Sequence, residues 1–424
     1  MKTLAVLVGA LMLQGAGLAL RASPQDGFST ERLGRIDRVF QQFVDDGRLP
    51  GAVVLVLREG KPVYERAFGW RDKEAGRKMT PDTIFRIASQ TKALTSVAIL
   101  SLVEEGKIAL GDPAGRYIPG FSKTTVAVTS GSGESGGVKI VPARRAITIR
   151  DLLTHTAGIS YGINPSVAAE YEVKGLGPAA GYGWYTADKD EPICTTMERL
   201  ATLPFVAQPG EAWVYGYNTD VLGCIAERAS GTPLDELIRA RVTGPLGMKD
   251  THFFAPVADR DRLAAVYSSA GDGRATRAPD GPRGQGDYVD GPRRSFAGGA
   301  GLLSTARDYG RFLEMIRRGG SIDGVRILSP RSVELMTTNQ VGTLHSANGL
   351  GFGLGFEITE RYGANGMDSV GAFGWGGAYG STYRVDPKTR MVLVMMIQML
   401  PNTSGIAERF NALVYQSLLE GPEK

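Results

Sequence analysis

The sequence predicts an α+β protein. Both chain ends form one antiparallel sheet flanked by helices, and a large, mostly helical domain is inserted between them. Three observations lead there. A strand hairpin stands near each end, at GAVVLVLREGKPVYERAFGW (51–70) and GSTYRVDPKTRMVLVMMIQML (380–400). A helical pattern precedes the first hairpin and another follows the second. Between about residue 80 and residue 345, helical signals dominate. The expected organisation is therefore a sheet domain from 23–80 and 346–424, with the helical domain at 81–345. A chain of 424 residues is long enough for a core of that size.

Each element has its own signature. MKTLAVLVGALMLQGAGLALRAS carries a lysine, an apolar run to Leu20 and small residues at Ala19 and Ala22. That pattern predicts a signal peptide over 1–22 and a periplasmic or secreted protein, an uncleaved anchor being the competing reading. STERLGRIDRVFQQFVDDG then sets Leu33, Ile36, Phe40, Phe43 and Val44 on one helical stripe, with Ser29 as cap and Gly47 past its end. In the first hairpin Val53–Val56 and Val63–Phe68 flank a glycine-lysine turn, and the second turns at Asp386–Thr389. The last helix carries Phe410, Leu413, Val414, Ser417 and Leu418. Loops are expected at 129–137 and 269–295, and at 160–190, where Tyr161, Tyr171, Tyr182, Trp184 and Tyr185 suggest a pocket wall.

Composition removes several function classes. The net charge is +4 without basic runs, so nucleic acid is not an expected partner. His155, His252 and His345 have no paired spacing, so neither a metal nor an organic cofactor is expected. No membrane contact beyond the export signal is expected, and the predicted assembly is a monomer or small homo-oligomer. Cys194 and Cys224 are too few for a disulfide framework, and the apolar helix around Cys224 predicts two buried free thiols.

The chemistry lies in three weak motifs. In TPDTIFRIASQTKALTSVAILSLVEEG, Ser89 opens a helix and Lys92 stands one turn later on the same face. A serine hydroxyl needs a neighbour to take its proton, and a desolvated lysine can be that neighbour. S-x-x-K alone is cheap, since chance supplies on the order of one match in a chain this long. Ser89 as helix cap with a solvated Lys92 competes with it. In PGEAWVYGYNTDVLGCIAERASG, Tyr215 ends a loop before a helix and can act as general base beside an ammonium, or pack as a core tyrosine. In GAFGWGGAYGSTYRV, glycines around Trp375 bare the backbone of a strand, which can supply an oxyanion-hole N–H beside that of Ser89.

Together these motifs, with ITIRDLLTHTAGI, PLGMKDTHF, FAGGAGLLSTARDYGRF and GWGGAYG, resemble the serine β-lactamase and penicillin-binding superfamily. The resemblance runs from about Phe28 to the C-terminus, and is closest to the class C-like branch and its family VIII carboxylesterases. It implies Ser89 as acylated nucleophile, Lys92 and Tyr215 as the catalytic partners, and Ala378 as the second oxyanion N–H. It places Trp375, Gly376, Gly377 and Tyr217 at the substrate. Two departures stand out. Tyr217 replaces the asparagine usual two residues after the tyrosine, with Asn218 one step later. Trp375 replaces the cation or histidine that lactamases set beside a substrate carboxylate, so neutral esters are the expected small-molecule substrates. The alternatives are β-lactamase or D-alanyl peptidase activity, acyl transfer to an alcohol, and an acylated sensor that never turns over. GESGG matches the nucleophile-elbow pattern at Ser135 but lacks its strand and helix.

Overall fold

The computed structural model describes residues 27–130, 137–176, 189–281 and 284–419. The leader, Ser135, Tyr182, Trp184 and Tyr185 lie outside the described residues. At the centre stands an eight-stranded antiparallel sheet: β1 (Gly51–Arg58), β2 (Lys61–Asp72), β3 (Arg77–Lys78), β4 (Leu350–Phe352), β5 (Glu357–Thr359), β6 (Phe373–Gly376), β7 (Thr382–Asp386) and β8 (Met391–Met396). Its order is β4-β5-β6-β7-β8-β1-β2-β3. The two chain ends meet at β1 and β8, where Val53 faces Met396 and Leu57 faces Val392. The expected sheet from both ends is the one that forms.

Among the described residues the helices of eight or more residues are α1 (Thr30–Asp45), α2 (Thr91–Glu104), α3 (Ile193–Leu200), α4 (Asn218–Ser230), α5 (Ala306–Arg317) and α6 (Ile406–Tyr415). β1 and β8 are unbroken apolar runs because both faces of the sheet are covered. Ala52, Val54, Val56, Leu393 and Met395 pack with α1 and α6. Val53, Leu55, Leu57, Val392 and Val394 join the larger core on the helical side. Ser29 caps α1, its hydroxyl accepting from the Arg32 N–H. Phe40 lies 5.1 Å from Phe68 and 6.0 Å from Phe410, ring centre to ring centre. Burial of each such side chain stabilises the fold by about 1.5–3 kcal/mol.

α2 is buried along its whole length from Thr91 to Leu102. The sequence pattern suggests one inward face; the structure also covers Ala93, Ile99 and Leu100, packing the helix against α4 and the 234–243 segment. A helix enclosed in this way is a core element, and any charge on it must find its partners inside the protein. A second difference is a small sheet in the helical part. Thr125–Ser130 pairs antiparallel with Gly137–Pro142 and parallel with Pro204–Phe205.

The cysteines correct an expectation. Cys194 and Cys224 are not free thiols but form a disulfide joining α3 to α4. The packing of these helices brings the two Cα atoms to 4.9 Å, within bridging range. Closing a span of 30 residues stabilises a fold by about 3–4 kcal/mol in the chain-entropy account. Reduction is therefore expected to lower the urea unfolding midpoint clearly. Coincident curves with and without reductant would show that the bridge contributes nothing.

Candidate active site

The chain enters the site along Phe85–Arg86, which pairs with Leu303–Ser304. Ile87 donates its N–H to the Leu302 carbonyl. Ala88 then adopts a left-handed backbone, φ 44°, which costs a residue with a Cβ about 1–2 kcal/mol. A single 3₁₀ turn, Ala88–Gln90, leads directly into α2. Ser89 thus sits half-buried at the start of a helical run, where backbone N–H groups have no intrahelical acceptor.

Lys92 follows one turn later and is 2% exposed. Its Nζ lies 2.7 Å from the Gly299 carbonyl, 3.0 Å from the Tyr161 hydroxyl and 3.2 Å from Ser89 Oγ. These oxygens satisfy all three protons of an ammonium. They also suit the neutral amine, which can donate to Gly299 and Tyr161 while its lone pair faces the Ser89 hydroxyl. A proton can therefore cross from Ser89 to Lys92 without moving a heavy atom. The bare backbone of Gly299 abuts Asp220, whose Oδ2 a Cβ there would meet at 2.4 Å. Its N–H donates to Asp220 Oδ1 at 3.0 Å. Burial pushes the Asp220 carboxyl up, against the pull of the Lys92 charge and the Gly299 N–H.

Tyr215 approaches the same amine by its ring face, whose centre is 4.7 Å from Lys92 Nζ. Its hydroxyl accepts from Trp375 Nε1 at 3.1 Å. Trp375 stands on β6 opposite Tyr383, and Gly376 pairs with Thr382. A Cβ on Gly377 would meet the Ile87 carbonyl at 2.5 Å, so bare backbone lets this strand end abut the segment before Ser89. The Gly377 N–H is taken by the Ser381 carbonyl at 2.8 Å. Ala378 follows, exposed, and its N–H makes no hydrogen bond among the described residues. Tyr217 lies deeper, 4% exposed. It donates to the Leu176 carbonyl at 3.2 Å and braces Tyr161 edge-on at 4.8 Å.

The family model described as Beta-lactamase matches residues 36–416. The chain belongs to the beta-lactamase family. Protein Rv1367c of Mycobacterium tuberculosis is 38% identical to it over 379 residues, 86% of this chain and 89% of that one. Esterase EstB of Burkholderia gladioli is 34% identical over 385 residues, 87% of this chain and 90% of that one. The solved structure of EstCE1, a hydrolase with promiscuous acyltransferase activity, matches with a TM-score of 0.74 at 26% identity, covering 92% of this chain and 98% of that one. This chain is thus a β-lactamase-fold member of the serine hydrolases, with esterases and acyltransferases among its relatives.

In this beta-lactamase-family site the walls are aromatic. Trp213 stacks on Tyr215 at 5.7 Å, and Phe352 stands 5.4 Å from Trp213 and 5.5 Å from Trp375. His345 lies 4.4 Å from Trp213 and 3.0 Å from Glu357. Three parts of the site escape the sequence reading: Tyr161 as partner of the amine, the Gly299 carbonyl, and Asp220 beneath it. The FAGGAG phrase of the family resemblance carries Gly299 but names no role for it, and Tyr161 is expected only as part of a pocket wall.

His155 is wholly buried against Tyr215, at 4.8 Å between ring centres. Asn218 Nδ2 lies 3.1 Å from the Val214 carbonyl and 3.3 Å from that of Ile159, so it is the donor, and His155 Nδ1 accepts at 2.9 Å. Burial, then the charges of Lys92 and His345, push this imidazole well below 6.5. The folded and unfolded forms are both neutral above that value. As pH falls below it, the unfolded chain takes up a proton that the fold refuses, and stability drops by up to about 1.4 kcal/mol per pH unit. The thermal midpoint is therefore expected to fall between about pH 6.5 and 5.5. His155→Asn tolerates the left-handed backbone at this position, φ 59°, and should flatten that slope. A variant with the slope of the parent would remove His155 as its source.

Proposed function

We propose that this chain is a carboxylesterase acting on short-chain esters through a Ser89 acyl-enzyme. The observation that carries the reading is the buried Lys92 amine 3.2 Å from Ser89 Oγ. Neutral Lys92 takes the Ser89 proton as Oγ bonds to the ester carbonyl carbon. The N–H groups of Ser89 and Ala378 receive the oxyanion. Collapse breaks the carbon–oxygen bond to the alcohol, and Tyr215 gives that oxygen its proton. No hydrogen bond joins Lys92 Nζ to the Tyr215 hydroxyl among the described residues, so the phenolate regains a proton from the Lys92 ammonium by way of water. Water then attacks the acyl carbon, yielding its proton to the same pair, and Ser89 leaves reprotonated.

Trp375 supports an ester rather than a β-lactam. An anionic substrate carboxylate calls for a cation at this position, and the indole N–H is committed to Tyr215. Arg384, opposite Gly374, is buried and bonded to Asp368 at 2.8 Å. The names of EstB and of a lovastatin esterase from Penicillium rubens, 29% identical, agree with this reading. The likeness to EstCE1 favours a second activity, transfer of the acyl group to an alcohol in place of water.

Ser89→Ala is expected to lower kcat/KM for p-nitrophenyl butyrate by roughly 10⁴-fold or more, with an unchanged melting temperature. Tyr161→Phe should cost about 10²-fold in kcat. The parent should turn over this ester faster than nitrocefin. A Ser89→Ala protein that keeps its activity, or a clear preference for nitrocefin, would overturn the assignment.

A further inference from the structure

A second cavity, of about 550 Å³, opens on the side of Leu302–Ser304 away from the Ser89 segment. Leu303 pairs with Arg86 on one edge and bridges His252 on the other, and the cavity lies against the His252 side. None of the residues hydrogen-bonded to Lys92 lines it. Its volume falls within the ~300–1,000 Å³ typical of small-molecule sites.

The lining divides sharply by chemistry. Ile238, Met248, Phe253, Phe254, Phe296 and Leu302 make an apolar floor, with Phe253 and Phe296 edge to face at 5.4 Å. Arg239, Lys249 and Arg293 supply cationic groups, and none of them has a carboxylate within salt-bridge distance among the described residues. Arg262, by contrast, holds Asp82, Asp250 and Asp259. Arg293 is also held in place. It has a left-handed backbone, φ 53°, lies 5.8 Å over the Phe254 ring, and donates from Nη2 to the Ala255 and Val289 carbonyls. The segment Arg239–Thr243 is a π-helical turn, with Gly244 donating to the Arg239 carbonyl, a feature frequent at functional sites. The lining also holds a carboxyl, Asp235, which burial pushes up against the pull of the Arg239 charge.

We propose that this cavity binds an amphiphilic carboxylate, its aliphatic or aryl tail on the phenylalanine floor and its carboxylate among Arg239, Lys249 and Arg293. The site rests on its own lining and not on the esterase reading. Isothermal titration of decanoate, below its micelle concentration, into the Ser89→Ala protein tests it beside the same titration into that protein carrying Arg239→Glu and Lys249→Glu. Both added substitutions are at exposed positions and spare the fold. The expected result is saturable binding that weakens at least about tenfold in the charge-reversed protein, and a decanol affinity at least about tenfold below that of decanoate. Phe296→Ala should weaken decanoate binding as well. Absent binding, equal affinity after charge reversal, or decanol binding as tightly as decanoate would each overturn the proposal. Loss of ester turnover in Ser89→Ala bears only on the catalytic assignment, so the two readings fail separately.

Discussion

One buried amine organises this molecule. Lys92 Nζ is held by oxygens from three separate stretches of chain, at Ser89, Tyr161 and Gly299. Removing an ammonium from water costs several kcal/mol unless its protons find new acceptors. Here each proton has one, so the amine can stay dry and still be satisfied. Dryness is what makes it useful. A hydrated lysine is surrounded by mobile water, whereas this one meets the Ser89 hydroxyl from a fixed position. The three contacts also act as cross-links, because moving any one segment would leave a buried donor without its partner.

The scaffold exists to keep those segments in register. α2 carries Lys92 and the 3₁₀ turn that leads into it carries Ser89, and the burial of α2 on all sides fixes their spacing. Tyr309 of α5 donates to the Gln90 carbonyl at 2.9 Å, tying the turn after Ser89 to the helix that packs on the sheet. Tyr309 also stacks near Tyr383, at 5.2 Å, and Tyr383 is the strand partner of Trp375. A continuous path of packed side chains thus runs from the Ser89 turn to the strand that closes the far side of the site. A slip of one residue between β6 and β7 would turn Trp375 to the opposite face and take its N–H away from Tyr215.

What could be read in advance follows the range of each interaction. α1 and both hairpins were legible because periodicity is a local property, and Ser29 caps α1 where the pattern places it. Ser89 and Lys92 were legible for the same reason, since three residues on a helix put them on one face. Tyr161 was legible as an aromatic near a pocket, but its contact with Lys92 spans 69 residues of chain and depends on packing that no local pattern records. The disulfide was missed on similar grounds: the setting of Cys224 reads as a buried apolar helix, and its partner is decided by how α3 meets α4. The strand pair at 125–142 was masked by the glycine and serine run between its strands. α2 shows a further limit, for a helix buried all round has no polar face to reveal its orientation.

Trp375 joins two properties that are often discussed separately. Its ring is part of the aromatic wall, while its N–H donates to the hydroxyl of Tyr215. On the proposed reading, the first property sets what the site accepts and the second sets how its acid behaves. An indole is a neutral donor, so its hydrogen bond to that hydroxyl lacks the charge a cation at the same position would bring. A cation there would instead draw an anionic substrate. The aromatic wall and the contact to the Tyr215 hydroxyl therefore meet in one side chain, and a change at position 375 made for the first also touches the second.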